Sequence, residues 1–264
     1  MSTVSIDPAE TGLEVLDLLG DAAFMGREPR ERDVVRQMQG MQRLAHAFVE
    51  QPETILQELV NAAVDLCGAE SAGISLEVEG GTDEQYYQWV ATAGQYAGFL
   101  NAMLPRFPSA CGTCLERGRP QLFRVTQRFF DLMGVTAPTV REGILIPWQV
   151  EATRGTIWCM AHERDDAFDS EDWQMMETLA DFAAMGVRQQ RQQKLLRDRA
   201  AAQAAAALAN ELAHQINNPL QSLTNLVYLE TLDERGEAAE RGEQMRENVE
   251  RLGGLVRALL ALRV

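Results

Sequence analysis

The sequence predicts an α+β protein in two parts: an antiparallel sheet with flanking helices, then a long helix leading into an all-α hairpin. Three observations carry this. Between residues 71 and 161, four segments alternate apolar and polar side chains, as half-buried strands do. On either side the apolar period is three to four residues, and after about Gly186 no alternating segment remains. Charge divides at the same place: residues 188–264 carry 11 basic and 10 acidic side chains, and residues 1–187 carry 13 and 29. Such asymmetry points to two parts with different roles.

The elements follow in order. Residues 1–32 are acidic with scattered small residues, and read as a loosely ordered leader with at most a short helix over 11–20. Residues 33–187 read as one α+β domain. Val34, Met38, Met41, Leu44 and Phe48 recur at helical spacing. A second helix starts near Pro52 and stops at Gly68. The stretch "SAGISLEVEGG" alternates and ends on a glycine pair, with "QYYQWVATAG" as its hairpin partner. A mixed loop separates these from "GILIPWQV" and "GTIWCMAHE", two strands joined by a polar turn around Glu151–Arg154. The next helix is expected to be capped by Ser170, with acids in its first turn, where the helix dipole favours them.

Residues 188–207 form a predicted connector of strong helix formers without glycine or proline. Residues 208–264 read as a helical hairpin broken at the polar "TLDERGEAAERGE". Its second arm carries a stripe that includes Met245, Val249, Leu252, Leu255, Val256, Leu259 and Leu262. Two helices cannot enclose a core, so the stripe predicts a second copy and a four-helix bundle.

Composition narrows the function. The chain of 264 residues is 46% apolar and 24% charged, as in a globular protein. A net charge of −15 argues against general nucleic-acid binding, which needs basic surface. No apolar run approaches the roughly 18–20 residues of a membrane span, and the N-terminus lacks a secretion pattern, so a cytoplasmic protein is expected. Cys67, Cys111, Cys114 and Cys159 are too few for a disulfide scaffold. Cys111 and Cys114 form a single CxxC without further ligands at zinc spacing, so they read as buried thiols and no metal site is expected. His162 closes a strand and reads as a surface residue rather than a haem ligand; His46 has no assigned role.

The segment "NELAHQINNPL" holds one of the three histidines. At about 100° per residue, with Leu212 at zero, Ile216, Leu220, Leu223 and Val227 form a stripe near 40°. His214 then falls at roughly 200° and Asn218 at roughly 240°, on the opposite face. A solvent-facing imidazole offers a nucleophilic nitrogen near neutral pH. Pro219 removes a backbone hydrogen bond and crowds the Gln215 carbonyl, so a bend is expected there.

"LAHQINNPLQSLTNLVYL" resembles the phosphoacceptor box of bacterial sensor histidine kinases, typically H-E-x-x-N-P-L. The resemblance implies that His214 accepts a phosphoryl group and passes it to an aspartate of a response-regulator receiver, with Asn218 and Pro219 completing the motif. Gln215 stands where the family has a carboxylate that acts as general base; an amide cannot take a proton, which implies weakened autophosphorylation. The family's ATP-binding domain would follow the hairpin, and no Gly-rich phosphate cradle occurs in the sequence. The expectation is a chain that does not hold ATP in the family's way and draws on a separate kinase domain.

The segment "PSACGTCLERGRPQLF" together with "AFDSEDWQMMETLADFAAMGV" resembles the GAF domain, a small sensory module. That resemblance implies a pocket beside the sheet for a small ligand such as a cyclic nucleotide, tetrapyrrole, haem or nitrate. Candidate lining residues are Trp89, Phe107, Cys111, Trp148 and Trp158. The resulting expectation is a dimeric two-component signalling protein, with a sensor coupled through the connector to His214. Two other readings stay open: a regulator that docks a receiver or pairs with a true kinase without being phosphorylated, and a phosphotransfer protein loaded by another kinase.

Overall fold

The computed structural model describes residues 7–232 and 238–261. They belong to two compact units, one up to Gln192 and one from Gln193.

The first unit is built on one seven-stranded antiparallel sheet. Two short helices, α1 (Pro8–Thr11) and α2 (Ala22–Met25), flank strand β1 (Leu13–Asp17). Helices α3 (Val34–Glu50) and α4 (Ile55–Cys67) lead into β2 (Ser71–Glu77) and β3 (Tyr87–Gly94). Then come β4 (Met103–Leu104), α5 (Ala110–Arg117), β5 (Gln121–Val125) and α6 (Gln127–Met133). The hairpin β6 (Val140–Val150) and β7 (Thr153–Ala161) precedes the long helix α7 (Ser170–Leu232). The sheet order is β1-β5-β6-β7-β2-β3-β4.

Each face of the sheet has its own core. α4 shows why one face is closed: Ile55, Leu59, Ala63 and Leu66 recur at helical spacing and are buried against Ala72, Ile74 and Ile157. α7 adds Met176, Leu179, Ala183 and Val187 to the same cluster. The first stripe of α3 turns further than expected: Leu44 and Ala47 are buried, while Val34 and Met38 are more than 60% exposed.

Strand parity decides which tryptophan serves which face. Trp158 stands opposite Gly73, and Trp148 opposite Gly155. A Cβ on Gly73 would lie 2.1 Å from the Trp158 ring, and one on Gly155 would lie 2.3 Å from the Trp148 ring. Only glycine lets an indole lie flat across the neighbouring strand at these two places.

The leader expected over 1–32 is replaced, from residue 7 onward, by ordered structure; residues 1–6 lie outside the described residues. β1 pairs antiparallel with β5 from Leu13↔Val125 to Asp17↔Gln121 and forms a sheet edge. Three arginines then fasten the chain to the start of α7. Arg27 bonds both Glu142 carboxylate oxygens, at 2.8 and 2.9 Å. Arg30 reaches Asp172 at 2.5 Å, and Arg32 reaches Asp169 at 2.5 Å. Arginines of the expected leader thus pair with buried carboxylates.

Asp169, not Ser170, caps α7. Its Oδ1 accepts the N–H groups of Glu171 and Asp172, and Asp172 Oδ2 accepts the N–H of Asp169. This is a reciprocal capping box built from two aspartates. Burial raises the Asp169 carboxyl, but Arg32 and the N–H groups of Arg30 and Asp172 overcome it and bring the group to about 2. At Asp172 burial dominates over the same guanidinium, and the shift is upward.

The second unit contains the remainder of α7 and α8 (Ala238–Ala261). α7 stays helical through Pro219. Asn248 Nδ2 donates to Ser222 Oγ at 3.4 Å. Each of these residues lies ten positions from the connection between the helices, the symmetry of an antiparallel hairpin. Of the polar break predicted over 231–243, residues 231–232 and 238–243 are helical and 233–237 lie outside the described residues, as do the side chains of Leu259 and Leu262.

Candidate functional site

On the face of the sheet away from α4, a cavity of about 120 Å³ opens between the sheet, α5 and α6. Its floor is Leu145, Trp158 and Met160 from the central strands. Phe129, Phe130 and Met133 of α6 close one side, and Leu13 of β1 and Phe123 of β5 close another. Ser109, Ala110 and Cys111, at the start of α5, form the third. α5 begins there because Ser109 Oγ accepts the N–H of Gly112, and it ends at Gly118, which is left-handed with φ 63°.

Of the pocket residues expected from sequence, Trp89, Cys111 and Trp158 line this cavity. Phe107 and Trp148 do not. Trp148 belongs to the opposite core, because even-numbered positions of β6 face the helices there. Phe107 sits half-buried before Pro108, beside Arg106. The sequence reading missed α6 and β1 altogether. Its one usable signal was "RFFDLMG", whose paired phenylalanines and glycine stop mark a short apolar helix.

No lining residue carries a formal charge. Five lining side chains have polar atoms. Tyr96 donates its hydroxyl to Pro138 O at 2.7 Å, Ser109 caps α5, and Cys111 Sγ accepts from Thr156 Oγ1 at 3.5 Å. Of the other two, Trp158 has a buried indole Nε1 without a hydrogen-bond partner, and the Trp89 Nε1 lies within reach of the Cys111 thiol without a well-aligned bond. Their rings are 4.8 Å apart.

All four cysteines are unpaired and buried, and no group of three or more metal-ligating side chains forms among the described residues. Burial pushes the Cys111 thiol upward against the Ser75 and Thr156 hydroxyls, and pushes Cys114 up further, so both stay protonated near neutral pH. His162, expected at the surface, is 7% exposed: its ring is bonded at both nitrogens, to Ser71 Oγ at 2.7 Å and Thr139 O at 2.8 Å. His46 is exposed and 3.0 Å from Glu50.

In the second unit, His214 and Asn218 are exposed and Pro219 is buried. Leu212, Ile216 and Leu223 are partly covered as expected, but Leu226 takes the buried place expected of Leu220 and Val227. Those two remain 46% and 54% exposed. A single helix covers only the sector it faces, so the rest of a broad stripe stays open. Gln215 Nε2 donates to Glu211 Oε1 at 2.8 Å, one turn back along the helix.

No helix among the described residues is long and apolar enough to cross a membrane. No curated protein matches the chain. Among solved structures, a GAF domain from a phosphoenolpyruvate-protein phosphotransferase of Coxiella burnetii is 15% identical, with TM-score 0.48 over 62% of this chain and 99% of that one. A phycoerythrobilin-bound GAF domain from a cyanobacterial phytochrome is 13% identical, with TM-score 0.45 over 61% of this chain and 100% of that one. A GAF domain of a putative sensor histidine kinase from Pseudomonas syringae pv. tomato is 15% identical, with TM-score 0.42 over 62% and 94%. The sequence pattern of the GAF domain matches residues 49–188, more than half of the chain. With that match lying over the sheet, the cavity and the start of α7, the chain belongs to the GAF domain family.

Proposed function

We propose that the protein is a two-component signalling protein in which a GAF sensor unit governs a phosphoacceptor hairpin carrying His214. The observation that carries this reading is the disposition of the H-Q-I-N-N-P-L segment: His214 and Asn218 exposed on one face of α7, and Pro219 buried on the other. A phosphoacceptor imidazole must meet a donor and later a receiver, so it needs this exposure. The phosphoryl donor is ATP held by a histidine kinase domain, and the acceptor is an aspartate of a response-regulator receiver. Gln215 and Asn218 would orient the reacting groups by hydrogen bonding rather than by taking a proton.

The hairpin acts as a homodimer in this reading. Leu220, Val227, Val249 and Val256 are each between 46% and 59% exposed, an apolar set that a second copy would cover in a four-helix bundle. Ligand-dependent shifts of α7 would then be shared between copies and change access to His214.

Gln215 favours a second reading: a regulator that docks a receiver, or pairs with a kinase, without phosphorylation. Its amide is turned to Glu211, and no carboxylate occupies the position after the histidine.

The test is acid-labile label on the purified protein, offered labelled ATP alone, ATP with separate kinase ATP-binding domains, and phosphorylated receivers, with His214→Ala as control. Label that needs a partner and vanishes in His214→Ala supports phosphotransfer. No label under any condition, with receiver binding retained in His214→Ala, establishes docking instead.

A further inference from the structure

We infer that the cavity of the sensor unit takes a compact, uncharged, largely apolar molecule of about the size of benzene with one hydrogen-bond acceptor, such as a small cyclic ketone. This rests on the reading of that unit as a sensor and names what it senses.

Size is the first argument. The free volume is about 120 Å³. An apolar protein cavity of about 150 Å³ stays dry and takes up benzene. A tetrapyrrole or a cyclic nucleotide is several times larger than the space between Trp158, Phe129 and Cys111.

Charge is the second. No arginine, lysine, histidine, aspartate or glutamate lines the cavity. An anion entering it would lose its hydration without a counter-charge, a cost that a neutral molecule avoids. Nitrate, carboxylates and phosphates are excluded on this ground.

The polar atoms supply the third. The Tyr96 hydroxyl, Ser109 and Cys111 already have partners within the protein. Of the two indole N–H groups, that of Trp89 is turned toward the Cys111 thiol, while that of Trp158, 0% exposed, has no partner. A buried donor without an acceptor is costly, and a ligand carbonyl or ether oxygen relieves that cost. One buried donor without an acceptor selects a ligand that accepts rather than donates.

The test uses the full chain and three probes on one carbon ring: cyclohexanone, methylcyclohexane and cyclohexanecarboxylate, with biliverdin and cyclic GMP as bulky controls. Binding is read by tryptophan fluorescence and by the rise in melting temperature, without ATP. Cyclohexanone is expected to shift both signals, methylcyclohexane to bind roughly five- to tenfold more weakly for want of an acceptor, and the three charged molecules to do nothing. Ala137→Phe, which fills the cavity from its rim, is expected to abolish the response. If that variant is not folded by circular dichroism, Ala110→Leu serves the same purpose. Binding of the carboxylate, biliverdin or cyclic GMP in preference to the ketone would overturn the inference, as would no response to either neutral probe. Because the readout involves no phosphate, these failures are separate from failure of label at His214: the ligand class can fall while phosphotransfer stands, and the reverse.

Discussion

Trp158 and His214 show how differently the two units use their distinctive residues. Trp158 is wholly enclosed, lies over Gly73, and lines the cavity. His214 faces solvent on a helix whose neighbouring positions are mostly exposed. In the sensor unit the candidate binding residues are also packing residues, so nearly every change there alters stability. In the hairpin the candidate chemistry lies on the outside, so it can be removed with the fold left intact. Function and stability are entangled in one unit and separable in the other.

The strongest way to break that contrast is at the arginine cluster. Arg32→Ala leaves Asp169 and Asp172, 2% and 1% exposed, with the partly exposed Arg30 as their remaining guanidinium, and is expected to destabilise the sensor unit by about 3 kcal/mol, the low end for breaking a buried pair. Urea unfolding measures it. The pH dependence follows from the same group. Asp169 is held at about 2, below its ordinary 3.8, so its contribution is present above pH 4 and lost as pH falls from about 4 toward 2. Melting temperatures between pH 5 and pH 2 should show this loss in the native protein and a weaker one in Arg32→Ala.

Next comes the sheet. Gly73→Val forces a branched side chain into the Trp158 ring, and a loss of about 3 kcal/mol is expected, with a changed tryptophan emission. An unchanged melting temperature would mean that the strands can part there at little cost.

Within the hairpin, Leu226→Ala is expected to cost about 2 kcal/mol, since Leu226 is the leucine that α7 buries there. Leu220→Lys is expected to alter hairpin stability by less than about 0.5 kcal/mol, because the side chain is already 46% exposed. It should nonetheless shift the protein from dimer to monomer in analytical ultracentrifugation if a second copy covers that face.

The smallest effect sharpens the comparison most. His214→Ala should change the melting temperature within experimental error, a stability change below about 0.5 kcal/mol, and remove acid-labile label entirely. A large loss of stability would place His214 in a structural role and bring the two units together.

Legibility divides along similar lines. The hairpin strands were readable because Ile144, Ile146 and Ile157, Cys159 alternate within a few residues of one another. The exposure of His214 was readable because helical periodicity is local. β1 was not: "LEVLD" is five residues in an acidic context, and its partner β5 lies more than a hundred positions away. The arginines read as part of a loosely ordered leader, since only the folded chain places the buried Asp169 and Asp172 beside them. Trp148 and Trp158 have the same composition and neighbouring strands, yet serve opposite faces.

By itself, the sequence determined the helices α3 and α4, the strand pairs β2–β3 and β6–β7, the change of character near residue 190, and the solvent-facing position of His214, because each depends on spacing between near neighbours. Only the tertiary structure decided where the cavity lies, how small it is and that no charged side chain lines it. Those properties arise where Leu13, Trp89, Phe129 and Trp158 converge from distant parts of the chain. A residue that lines a void and one that fills a core are chemically alike until the packing around them is known.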